Sequence, residues 1–201
     1  MLVVGLTGNI ASGKSEVAQR LVHLGARLID SDVLARRAVE PGSPGLRAVV
    51  ARWGTGVLSD SGNLNRAALR NIVFRDRAEL EALNAIVHPE VERLRREMLQ
   101  EFRAQGATVV VCDIPLLFEN HLERNFDRVI LVDAPVDVRL ERLVERRHIA
   151  ADEARAMMKA QMPSADKRAL ANYVIDNQGS LDQLHDAVDT LWNDLRRDAA
   201  T

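Results

Sequence analysis

The stretch "GNIASGKS", residues 8–15, comes directly after the apolar run "LVVGLT", residues 2–7. It fits the pattern Gly, four free positions, Gly-Lys, then Ser or Thr, in which a strand turns sharply into a helix while backbone N–H groups face phosphate oxygens. Gly8 and Gly13 give the turn its backbone freedom and its close approach to a ligand. A helix starting near Gly13 adds unpaired N–H donors and the positive end of its dipole. Lys14 is placed to reach the β- and γ-phosphates, and the Ser15 hydroxyl to ligate Mg²⁺. Asn9, Ile10, Ala11 and Ser12 fill the free positions and Glu16 follows, so residues 8–16 are the candidate ATP phosphate site. Asn tolerates positive φ and Ala does not, so a negative φ is expected at Ala11.

The segments beyond the loop extend the same reading. "KSEVAQRLVHLG" places Val17, Leu21 and Leu24 on one helical face, with Gly25 as a stop. "ARLID", "ATVVVCD", "DRVILVD" and "NYVIDN" read as further strands beside "LVVGL", most of them fully apolar as in the middle of a parallel sheet. Residues 46–105 are helical and strand-poor. There "RAELEALNAIV" and "PEVERLRREMLQEF" read as two helices, the second opening on Pro89 in its first turn. "SLDQLHDAVDTLWNDL" closes the chain as an amphipathic helix. Alternating strands and helices predict an α/β fold: a mostly parallel sheet of about five strands with helices on both faces. The helical middle is read as an insertion within a single domain of residues 1–201, since no flexible linker flanks it.

Bulk composition narrows the function classes. Of 201 residues, 47% are hydrophobic and 28% charged, an ordinary soluble balance. A net charge of −2 gives no global basic field for nucleic acid. No apolar run is long enough to span a bilayer, and no basic leader precedes the first strand, so the expected location is the cytoplasm. The one cysteine, Cys112, excludes an internal disulfide and reads as a small buried strand residue. Trp53 and Trp192 read as core. Lys14 is one of only three lysines, with Lys159 and Lys167, in a chain whose other basic residues are Arg and His.

In a parallel sheet the carboxyl ends of the strands line one crevice. Asp30 and Asp32 follow the second strand, Asp113 ends the third and Asp133 the fourth. Phosphoryl transfer needs one carboxylate to orient or deprotonate a hydroxyl and another near the metal. Asp32 suits the first task, although it and Ser31 compete for a helix N-cap in "DSDVLARR". Asp113 suits outer-shell contact with Mg²⁺, and Asp133 a structural cap. Arg139, Arg142, Arg146 and Arg147 crowd one helix end, either as a solvated basic face or as phosphate ligands.

Taken together, "GLTGNIASGKS", "LIDSD", "EPG", "LNRAALRNIVF", "LNAIVHPEV", "IPLLFE", "ERLVERR", "AQM" and "YVIDNQGS" resemble the dephospho-coenzyme A kinase family over nearly the whole chain, in the right order. The resemblance implies a P-loop kinase that moves the γ-phosphate of ATP onto the ribose 3′-hydroxyl of dephospho-coenzyme A, the last step of coenzyme A synthesis. It implies Asp32 as base, and Lys14 and Ser15 as phosphate and Mg²⁺ residues. Arg142 and Arg146 are implied as lid residues facing the phosphates, with Arg142 also catalytic. Asn177 and Gly179 are implied on the adenine side. Arg66, His88, Pro115, Leu116, Leu117, Phe118 and Glu119 are implied for the acceptor. The helical middle, about 46–105, then becomes the acceptor-binding subdomain, and about 142–170 the lid.

The implied partners are small molecules only, with no nucleic acid, membrane or obligatory protein. His88 before Pro89 reads equally as a packing residue. Asn9, Ala11 and Asn65 stand where this family more often carries other residues. Two rival readings stay open at this point: a nucleoside or nucleotide kinase on the same fold, and a non-catalytic nucleotide-binding switch. No Asn-Lys-x-Asp run for guanine is present.

Overall fold

A computed structural model describes residues 1–200. Strand β1 (Leu2–Gly8) leads into helix α1 (Lys14–His23), then β2 (Arg27–Asp30) and α2 (Ser31–Arg37). The helical stretch follows as α3 (Pro44–Trp53), α4 (Arg66–Val73) and α5 (Arg77–Ala104). Strand β3 (Val109–Asp113) and β4 (Arg128–Asp133) come next. After them α6 (Val136–Glu141) runs into a π-helical turn (Arg142–Arg146). The chain then forms α7 (Ala151–Lys159), α8 (Ser164–Leu170), β5 (Tyr173–Asp176) and α9 (Leu181–Ala200).

The chain divides into two compact units, residues 1–29 with 102–201, and residues 30–101. The first is built on a five-stranded sheet in the order β2-β3-β1-β4-β5. β1 pairs in parallel with β3 and with β4, and β4 in parallel with β5. The register puts Leu2 beside Val109, Leu6 beside Ile130 and Val132 beside Ile175. Alternation along each strand therefore gathers Leu2, Val4, Leu6, Val109, Val111, Ile130, Val132 and Ile175 on one face. Val17, Ala18 and Leu21 of α1 and Leu184, Val188, Leu191, Trp192 and Leu195 of α9 join them in one core. Cys112 is buried in β3, as expected. Gly25 sits at φ +115 just past α1, the left-handed stop its position predicts.

The second unit packs α3, α4 and the first half of α5 around Val39, Val49, Val57, Leu69 and Val73. Trp53 lies against this cluster, and its indole Nε1 donates to Glu79 Oε2 at 2.7 Å. Arg52 grips the same carboxylate with two hydrogen bonds of 2.9 and 3.1 Å.

Pro89 corrects the sequence reading. It lies inside one 28-residue helix, α5, and does not open a second. Proline removes the bond to the carbonyl of Ala85 four residues back and crowds it, which ordinarily kinks or ends a helix. Here Leu80, Leu83, Ile86 and Val87 are packed on the core just before the proline, which holds the axis across the defect.

Leu21 has no exposed surface and joins α1 to the sheet and α9. We expect Leu21→Ala to cost about 2–5 kcal/mol. Calorimetry should then show a Tm lower by roughly 5–15 °C. An unchanged Tm would mean that α1 is not held by this core.

Candidate functional site

The phosphate loop leaves β1 at Gly8 and enters α1 at Lys14. Gly13 caps α1 with φ +94. A Cβ there would fall 2.0 Å from Asn177 Nδ2, so only glycine fits. At Gly8 a Cβ would lie 2.6 Å from both Ser12 Oγ and the Val132 carbonyl. The loop is thus pressed between the ends of β4 and β5.

Ala11 departs from expectation, with φ +60 where a negative value is predicted. The reason is a tight turn in which Ser12 N–H donates to the Asn9 carbonyl at 3.0 Å. Such a turn closes with negative φ at both central positions or, in its type II form, with positive φ at the second, and Ala11 in that second position takes the positive value. Asn9 does not take the positive φ. Its side-chain Nδ2 donates to Ser164 Oγ at 3.0 Å instead. Two buried atoms in this loop, Ser12 Oγ and Asn9 Oδ1, have no hydrogen-bond partner among the described residues. Buried polar groups are rarely left so, and Ser12 Oγ is a donor suited to a phosphate oxygen.

Lys14 Nζ forms a tight ion pair with Asp113 Oδ1 at the end of β3, with both side chains mostly buried. Ser15, in the first turn of α1, is exposed. Glu16 Oε1 lies 2.8 Å from His185 Nε2 on α9. Arg142 opens the π-helical turn and lies across the loop. Its Nη1 donates to the carbonyls of Ala11 (3.2 Å) and Ser12 (3.4 Å), and its Nη2 to the carbonyl and Oδ1 of Asn177 (3.2 and 3.3 Å). Asn177 Nδ2 closes the ring by donating to the Ser12 carbonyl at 2.7 Å. Burial first, and the Arg146 charge second, lower the Arg142 pKa from its usual value. Arg146 itself is exposed. Gly179 precedes a capping box that opens α9, in which Ser180 and Gln183 exchange bonds of 2.9 and 3.3 Å.

Arg139 is not part of the basic cluster that the sequence suggests. It is only 4% exposed, and its Nε donates to the Ala134 carbonyl at 3.0 Å. Its place on α6 turns it toward the end of β4, where burial lowers its pKa and Asp133 opposes that shift. Asp133, expected as a structural cap, caps no helix: α6 is preceded by Pro135 and has no side-chain cap bond. Asp133 accepts from Ala134 N–H (2.9 Å), Ser164 Oγ (2.9 Å) and Arg168 Nη1 (3.0 Å).

The cap of α2 is a further correction. It is neither Ser31 nor Asp32 but Asp30, extended at φ −92 and ψ 115, with Oδ1 accepting from the N–H groups of Asp32 (2.8 Å) and Val33 (3.1 Å). An N-cap needs that extended backbone, which the last residue of β2 already has. The Asp32 carboxylate is left exposed.

The candidate acceptor residues fall in both units. After β3, Thr7 Oγ1 donates to the Pro115 carbonyl at 3.2 Å. Leu117 and Phe118 are buried, Leu116 is exposed, and Glu119 Oε1 pairs with Lys167 Nζ at 2.7 Å. In the helical unit, Arg66 is exposed at the start of α4, and His88 is exposed just before Pro89. Asn65 caps α4, its Oδ1 accepting from Ala68 N–H at 3.0 Å, which accounts for a residue type unusual at that position. Gln161, Ser164, Lys167 and His185 all touch candidate site residues and are absent from the sequence-based set. Only Lys167 carried a signal, as a rare lysine.

The model of the dephospho-CoA kinase family matches residues 2–183. A dephospho-CoA kinase of Thermobifida fusca is 46% identical over 197 residues, which is 98% of this chain and 98% of that protein. The crystal structure of TT1252 from Thermus thermophilus superposes with a TM-score of 0.83 at 39% identity, covering 96% of this chain and 97% of that one. The structure of dephospho-CoA kinase from Campylobacter jejuni gives a TM-score of 0.75 at 22% identity, over 98% of each chain. The fold is that of the P-loop kinases.

Gly13→Ala tests the loop directly. The left-handed backbone and the collision with Asn177 impose strain of about 1–3 kcal/mol. Expressed in binding, that weakens ATP by roughly five- to a hundredfold. Titration calorimetry should show the loss while cooperative unfolding persists. Unaltered ATP affinity would detach Gly13 from the nucleotide site.

Proposed function

The chain belongs to the dephospho-CoA kinase family, and from that premise we propose how its residues share the last step of coenzyme A synthesis. In that step the γ-phosphate of ATP passes to the ribose 3′-hydroxyl of dephospho-CoA. The observation that most supports the donor half is the phosphate loop itself, with Gly13 pressed on Asn177 and the Ser12 hydroxyl buried without a partner. ATP phosphates lie along residues 8–16. Their oxygens meet the amides at the start of α1, where the helix dipole favours negative charge. Asn177 and Gly179 flank the adenine side.

Phosphoryl transfer depends on positioning and on neutralising charge more than on covalent chemistry. Lys14 leaves Asp113 to follow the β- and γ-phosphates. Arg142 and Arg146, at the start of a lid spanning about residues 142–170, face the same oxygens. Asp32 orients the 3′-hydroxyl and takes its proton as the new P–O bond forms. Its carboxylate is free for this because Asp30 does the capping. Acceptor roles fall to Arg66 and His88 in the helical segment, about 46–105, and to Pro115, Leu116, Leu117, Phe118 and Glu119 after β3. Here Leu117 and Phe118 act by shaping the loop, since both are buried.

No cluster of three or more His, Cys, Asp or Glu side chains suited to a metal occurs among the described residues. That suits Mg²⁺, which keeps waters and takes substrate phosphates with only one or two protein ligands. The Ser15 hydroxyl and, in the outer shell, Asp113 would hold it. Bound there, Mg²⁺ would help to neutralise the charge of the phosphates. The described residues contain no helix long and apolar enough to cross a membrane. We assign the enzyme to the cytoplasm, with ATP and dephospho-CoA as its only required partners.

The deciding experiment supplies ATP, Mg²⁺ and either dephospho-CoA or a panel of nucleosides. Coenzyme A should form, and turnover of a nucleoside without coenzyme A formation would sink the acceptor assignment. In the same assay Asp32→Asn should lower kcat by about 10²–10⁴-fold, with ATP affinity within about twofold of the parent. A near-normal kcat would remove Asp32 from the chemistry.

A further inference from the structure

Four contacts converge on one short segment, residues 161–167, between α7 and the first turn of α8. On the nucleotide side, Ile10 N–H of the phosphate loop donates to Gln161 Oε1 at 2.8 Å, and Asn9 Nδ2 donates to Ser164 Oγ at 3.0 Å. On the acceptor side, Met162 N–H donates to Glu119 Oε1 at 3.1 Å, and Lys167 Nζ pairs with the same oxygen at 2.7 Å. We propose that this segment is a strut coupling the phosphate loop to the acceptor loop, so that ATP and dephospho-CoA each tighten the other's binding, with Gln161 and Lys167 as positioning residues. The inference rests on the acceptor role of residues 115–119.

Each end of the strut is hard to detach. The Lys167 side chain has no exposed surface. Opening its ion pair would leave an uncompensated buried charge. Burial alone would raise the Glu119 pKa, but Lys167 and the Met162 N–H outweigh it and hold the carboxyl below its usual value. At the other end the Ser164 hydroxyl is used in both directions, accepting from Asn9 and donating to Asp133 Oδ1 at 2.9 Å. Pro163, at φ −55, joins the two ends, and a single helical turn separates Ser164 from Lys167. Proline fixes that angle, so a displacement at one end is carried to the other and not absorbed between them.

Both loops also contain buried polar atoms without partners. Glu119 Oε2 is one and Ser12 Oγ another. Each loop therefore gains most when its ligand completes it. Binding at either loop shifts the shared strut toward the position that the other loop needs, so the second ligand meets a loop already placed.

The test measures the dissociation constant of a non-hydrolysable ATP analogue by calorimetry, alone and with saturating dephospho-CoA, and then the reverse titration. In the parent protein each ligand should tighten the other by about fivefold or more, and by the same factor in both directions. Gln161→Ala should bring that factor close to one while each ligand alone binds within about twofold of the parent. Gln161→Glu, which keeps an acceptor for Ile10 N–H, should retain the coupling. Lys167→Met should abolish it, and if that variant does not fold, the Gln161 pair decides alone. A merely structural role would lower Tm and leave the factor unchanged. Two normal isotherms with no mutual effect, or full coupling in Gln161→Ala, overturn the inference. Failure of the parent to bind dephospho-CoA at all overturns the acceptor reading and the inference with it.

Discussion

Between β1 and α1 the backbone must reverse direction and still point its amides at one small volume, and at Gly13 this leaves no room for a side chain. The neighbour that closes the space is Asn177, just past β5 and 164 positions along the chain. Such proximity exists only because β1, β4 and β5 run parallel and side by side. The parallel sheet brings the carboxyl ends of its strands to one edge. The Ser12 carbonyl and the Asn177 side chain there are tied by hydrogen bonds, directly and through Arg142. Loop, sheet order and the arginine of the π-helical turn meet in one arrangement at this edge.

Charge at this edge is balanced locally. Lys14 faces Asp113, and Arg168 faces both Asp133 and Asp176, whose hydrogen bonds raise its pKa. A cation intended for phosphate would otherwise sit desolvated and alone, which is costly in a partly buried place. The Asp113 carboxylate holds the Lys14 ammonium close while remaining an exchangeable partner. Arg142 is held differently, by backbone carbonyls, with no carboxylate against it in the contacts described above. Its charge is less satisfied, in keeping with its lowered pKa, and an incoming polyphosphate would relieve it.

Much of this is legible in the sequence, because strands buried on both faces read as apolar runs and the phosphate loop follows a fixed spacing. "VVVCD" and "RVILVD" could hardly be exposed, and "GNIASGKS" between strand and helix admits few other geometries. The misreadings share a cause. Pro89 breaks a helix by local rule, but apolar packing of the preceding turns carries α5 through it. Arg139 belongs by composition to a basic cluster, but helical phase turns it inward toward Ala134. Gln161, Ser164 and Lys167 matter through contacts with Ile10, Asn9 and Glu119, residues 48 to 155 positions away. Neither periodicity nor motif spacing encodes pairings of that range. At Asp30 the local rule would have sufficed had the last strand residue, already extended, been allowed to serve as the cap.

Ala11 shows what the loop gives up to keep its shape. A left-handed alanine costs about 1–2 kcal/mol relative to the right-handed form. A glycine would avoid that cost, but it would also leave the unfolded chain freer and raise the entropy lost on folding. The second effect, about 0.4–1 kcal/mol, is the smaller, so alanine remains a net cost here. The Ala11 carbonyl also has a partner in Arg142 at 3.2 Å. With alanine at the second central position of the turn the loop has fewer alternative shapes than its glycine version. Its amides are therefore better pre-organised for a phosphate, and less ordering remains to be done when the ligand arrives.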